Sequence, residues 1–133
     1  MSYSKMLLVA SAVFGVIGVF MGGHMAGAGS YALRPVHAHV LVVGWLSLFA
    51  WSIFYKVYRP KKSLLTKLHV WTALIGTIGL CSGMYVFMLD VIPLPDVASL
   101  VYYIISGTIL MISYILFLIL AIKQPDTEAE SIS

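Results

Sequence analysis

The sequence predicts an all-α integral membrane unit of four helices, and three observations carry that expectation. Hydrophobic residues make up 61% of the 133 positions and charged residues 10%, a balance outside that of a water-soluble domain. Four apolar stretches follow one another, each reaching the roughly 20 residues that a helix needs to cross hydrocarbon. The basic residues gather at alternate links between these stretches, as expected of a chain that crosses a bilayer repeatedly.

The first stretch, residues 6–29, outruns the apolar core of a signal peptide, roughly 7 to 15 residues, and is read as a spanning helix. The second, residues 35–58, opens with Pro35, which suits a first helical turn because the missing N–H has no partner there anyway. Thr66 is expected to cap the third, residues 66–92. Pro93 and Pro95 bracket the link to the fourth, residues 97–122. Short links make sequential helices antiparallel neighbours. Residues 1–125 thus form one four-helix domain, and residues 126–133 a polar cytoplasmic tail. Gly15, Gly18 and Gly22 share a spacing with Gly76, Gly79 and Gly83, which predicts close helix packing, with clearance for a flat cofactor as the alternative. Cys81 stands alone, so no disulfide is expected, and it reads as a small buried apolar residue.

Charge speaks to orientation and lipid contact, and no nucleic-acid partner is expected. Lys5, Lys56, Arg59, Lys61, Lys62, Lys67 and Lys123 fall on one side of the four helices, and Arg34 falls on the other with Asp90 and Asp96. The positive-inside rule then puts both termini in the cytoplasm. His24, His37 and His39 lie toward the outer surface, whereas His69 is expected at the inner interface as a non-ligand. None of the acidic residues falls in a helix core, which argues against a small proton-coupled exporter.

Pro35-Val-His37-Ala-His39 is the most informative segment. Ionisable groups inside a bilayer are costly and default to a functional reading. Positions i and i+2 on an α-helix are roughly 200° apart, so the two rings leave on nearly opposite sides and suit two separate partners. Neutral imidazole ligates iron, copper or zinc, and in haem proteins it supplies an axial position. The alternative is hydrogen bonding to backbone carbonyls or lipid headgroups. The His37 side continues through Leu41, Gly44, Leu48 and Trp51, and the His39 side through Val43, Leu46, Ala50 and Ile53. Arg34 precedes His37 by one turn, where a guanidinium could pair with haem propionates. His24, between Met21 and Met25, offers a soft set suited to copper(I), or a third ligand, a supporting partner or a surface residue.

The run from His37 through Gly44 to Trp45 resembles the late His-x-His helix of the haem-copper oxidase and nitric oxide reductase catalytic subunits, in which a glycine follows five residues after the pair. Lys67-Leu-His69-Val-Trp71, followed by Gly76, resembles the start of that family's next helix. The resemblance covers the second and third helices, and the first and fourth only by order. It implies haem b held through His37 and His39, with Gly44 beside the cofactor, in a bacterial-type inner membrane. Because the family arranges twelve helices as three arcs of four, it also implies a homotrimer of this single arc. One haem would then lie between His37 of one subunit and His39 of the next.

The further histidines of the family's second metal site have no counterparts in this sequence, so complete oxygen reduction is not expected of this chain alone. Electron transfer is the expected role, with a quinol or a cytochrome as donor. The alternatives are binding or sensing of a diatomic gas, copper or zinc handling, and a structural subunit of a larger oxidase.

Overall fold

The computed structural model describes residues 1–89, 92 and 94–125; Asp90, Pro93 and the expected tail at 126–133 lie outside them. Four helices long and apolar enough to cross a membrane run through the described chain: α1 (Tyr3–Ala28), α2 (Arg34–Val57), α3 (Leu64–Leu89) and α4 (Asp96–Lys123). Among the described residues there is no strand. The expected all-α class and four-helix count therefore hold, with each boundary within a few residues.

Local chemistry sets the ends. The Ser2 hydroxyl accepts from the Lys5 backbone N–H at 3.3 Å, capping α1. Gly29 closes that helix in the left-handed region at φ 61°, where the lack of a Cβ removes the steric penalty. The cap of α3 differs from the expected one. Ser63 takes the cap position, accepting from Thr66 N at 3.3 Å, while the Thr66 hydroxyl accepts from Ser63 N at 2.9 Å. This reciprocal pair places Thr66 inside the first turn rather than ahead of it.

The chain forms two antiparallel hairpins, α1 with α2 and α3 with α4, set side by side; α1 and α3 scarcely touch. Three contacts gather one end of all four helices. The Ser52 hydroxyl donates to Ser4 O at 2.9 Å, the Tyr55 hydroxyl to Thr66 O at 3.4 Å, and the Gln124 amide to Tyr58 O at 3.2 Å. Lys5, Lys56, Arg59, Lys67 and Lys123 accordingly share this basic end, and the His37 turn lies at the opposite one. The main apolar core, built on Leu7, Leu48, Trp51, Val70 and Leu110, occupies the basic half. A smaller cluster of Val36, Val40, Cys81 and Met84 lies toward the histidine end. Large apolar residues such as Val16, Phe20, Ile104 and Leu118 are exposed around the outside, as in helices whose solvent is lipid.

The glycine spacing serves packing. A Cβ on Gly76 would lie 2.6 Å from the Leu110 backbone nitrogen, so α3 and α4 meet there backbone to backbone. On α1, Gly15, Gly18 and Gly22 instead receive Trp45, Leu41 and His37 from α2. Cys81 is buried, as expected of a small apolar filler.

Candidate functional site

The site is built on the first turns of α2. Residues Arg34–His39 are α-helical, and Val40–Ser47 then form a π-helical stretch of 8 residues before the α-helix resumes at Leu48. The Ser47 hydroxyl donates to Val42 O at 2.8 Å, five residues back, filling a carbonyl in the widened ladder. It also pairs with the Tyr114 hydroxyl of α4 at 2.7 Å. Extended π segments are rare and recur at functional sites.

His37 and His39 occupy different surroundings. The His37 ring is half-buried and lies over Gly22 of α1; a Cβ there would come 3.2 Å from its Cε1. Its Nδ1 is buried and has no hydrogen-bond partner among the described residues. His39 turns its Nδ1 back to Pro35 O at 2.9 Å. A carbonyl can only accept, so that nitrogen carries the proton and Nε2 keeps a lone pair in the neutral ring. The carbonyl-anchored imidazole is the arrangement that orients a metal-ligating histidine.

Of the residues expected on the His37 side, Leu41 is half-buried and Gly44, Leu48 and Trp51 are buried; of those expected on the His39 side, Val43 is half-buried and Leu46, Ala50 and Ile53 are exposed. The wide winding of the π stretch breaks the α-helical spacing of both sides, and the stripe that meets α1 is His37, Leu41 and Trp45, over Gly22, Gly18 and Gly15. Gly44 is not open to a cofactor in the single chain, because the Phe14 ring packs directly against it where a Cβ would stand. Arg34 is exposed, and its guanidinium lies 4.4 Å from the centre of the Tyr31 ring.

His24 is exposed and stacks on Phe20 with ring centres 6.4 Å apart, while Met25 is buried and Met21 half-buried. Among the described residues no group of three or more His, Cys, Asp or Glu side chains could hold a metal ion.

His69 lies at the basic end, as expected, and is enclosed between helices with 0% exposure. Trp51 meets it edge-on at 5.0 Å, while Tyr55 and Phe117 stack on it at 5.7 Å and 5.5 Å. The Tyr55 hydroxyl and His69 Nδ1 share a hydrogen bond of 2.9 Å. Trp51 and Tyr55, four residues apart on one face of α2, were the available signal for this cage. Sequence periodicity carries no comparable signal for the π segment.

No family model, curated protein or solved structure matches this chain.

Proposed function

We propose that this chain is a membrane-bound b-type haem protein that transfers electrons, with His37 and His39 as its axial ligands. The observation that carries the reading is the His39 ring, anchored to Pro35 O through Nδ1 so that its Nε2 keeps a free lone pair. Haem, when bound, supplies a one-electron iron couple whose potential the axial ligands and the dryness of the pocket tune. Arg34, at the first position of α2 and one turn before His37, would neutralise propionates.

In the assembly we propose, a cyclic homotrimer, each haem lies between His39 of one subunit and His37 of its neighbour. His37 has to swing out of the niche over Gly22 to take that part. Its Nδ1 has no hydrogen bond among the described residues that the swing would break. The resemblance of the His-x-His helix to the haem-copper oxidase family supports the same ligand pair. The proposed setting is a bacterial-type inner membrane with both termini cytoplasmic, consistent with the clustered cations at one end.

The test is a pyridine-haemochrome spectrum of the purified protein, with the haem-to-chain ratio and the mass of the assembly measured together. One haem per chain is expected in a trimer. His39→Ala and His37→Ala are each expected to lose haem, and His69→Ala to keep it. Full haem retention in His39→Ala, or bound copper with no Soret band, would overturn the reading. A large spectral shift of the reduced protein with carbon monoxide would move it toward gas binding.

A further inference from the structure

Between the two hairpins, where α1 and α3 stand apart, runs a groove of about 770 Å³. Its floor is Val36 and Val40 of α2, and its walls are apolar along most of their length, with Phe14 and Ile17 facing Ile78 and Cys81. On α1 it extends from Ala10 to His24, about 21 Å at the helical rise. Polarity is concentrated toward one end, where the Ser82 hydroxyl is already bonded to Ile78 O and the Tyr102 hydroxyl. His24 lies four residues before the end of α1 and Tyr85 four before the end of α3, so these parallel helices present them at one level. The Phe20 and His24 rings, inclined by only 18°, add a flat aromatic surface there.

Such a groove fits a long apolar tail with a small ring-shaped polar head. No Asp, Glu, Lys or Arg is among the residues that line it. A phospholipid phosphate would lack a cation here, whereas an uncharged head with two oxygens could bond both His24 and Tyr85. We propose that this groove binds a lipid-soluble quinol or quinone, its ring between His24 and Tyr85 and its tail along the helices. The choice of an electron carrier rests on the electron-transfer reading above; the groove's shape and uncharged lining are independent of it.

Photolabelling of the purified full chain in phosphatidylcholine vesicles with an azido-substituted quinone, mapped by mass spectrometry, tests the site directly. Adducts are expected on α1 near His24 and on α3 near Tyr85, and excess unlabelled quinone should suppress them. Ile78→Trp puts an indole into the groove from a half-exposed position and should abolish the saturable labelling. His24→Leu, at an exposed position, should weaken binding about five- to tenfold, the loss of roughly one hydrogen bond. Adducts spread evenly over the lipid-facing surface, adducts indifferent to excess quinone, or an acyl-chain photoprobe that quinone cannot displace would each overturn the proposal. Dithionite and quinol reduction of the same samples separates the two readings. Saturable labelling with no Soret band sinks the haem assignment and leaves the groove standing. Haem reduced by dithionite but not by quinol, with unsaturable labelling, does the reverse.

Discussion

The α3/α4 hairpin and the α1/α2 hairpin carry the same glycine spacing and are assembled differently. At Gly76 the partner is the main chain of Leu110, and at Gly79 it is the short side chain of Ser106. Neither neighbour has freedom to retreat, so that seam is fixed. At Gly18 and Gly22 the partners are the ends of side chains, Leu41 and the His37 imidazole, which can rotate. One hairpin is thus a rigid frame, and the other holds movable groups, a candidate ligand among them. Small residues in a bilayer allow close approach, and the partner helix decides whether backbone or a ring fills the space.

The largest test of this contrast is Gly76→Ala. Its Cβ must force the two backbones apart, and we expect a loss of about 3 kcal/mol in reversible unfolding from mild detergent. Tyr114→Phe removes the 2.7 Å contact with Ser47 that ties the frame to the π segment, and should cost about 1 kcal/mol in the same assay. Gly18→Ala meets the Cδ2 and Cγ of Leu41 and approaches Val40 Cγ1, side-chain atoms that can shift where backbone cannot, so the loss should stay well below that of Gly76→Ala, at about 1 kcal/mol. A cost equal to that of Gly76→Ala would erase the distinction between the hairpins. Gly22→Ala should change stability least, by under about 0.5 kcal/mol, since the imidazole need give only a few tenths of an ångström. Its effect should instead appear in haem uptake, which should tighten because the new methyl crowds the niche that His37 leaves on binding, while the absorption and paramagnetic resonance spectra of the loaded protein stay as in the parent. Uptake unchanged in that variant would separate the Gly22 niche from the ligand.

Much of the architecture was legible because lipid imposes a simple code. Length and hydropathy give the spans, proline and glycine punctuate them, and the lysines share one end with Arg59 while Arg34 stands at the other. The histidine pair stood out for the same reason, being polar in an apolar run. What stayed hidden depended on contacts between helices. His69 sits near a helix start beside Lys67, which reads as an interface, yet rings from α2 and α4 enclose it. Thr66 looked like a cap because its residue type suits one, but Ser63 is better placed to take the position. The equal spacing of the two glycine triplets likewise concealed which would meet backbone and which would meet a ring.

The π-helical stretch at Val40–Ser47 gives α2 an unusual mechanical character. Because it stands between the histidine turn and the turns that hold Trp51 and Tyr55, the angular offset of these two groups is set by the wider coil. Deleting one residue within it would restore ordinary winding, and the imidazoles would turn against the aromatic anchor by the difference between 8 residues of wide coil and the shortened stretch of α-helix. The upper part of the rod can therefore be re-aimed by a change of one residue in length while its lower part stays bolted in place.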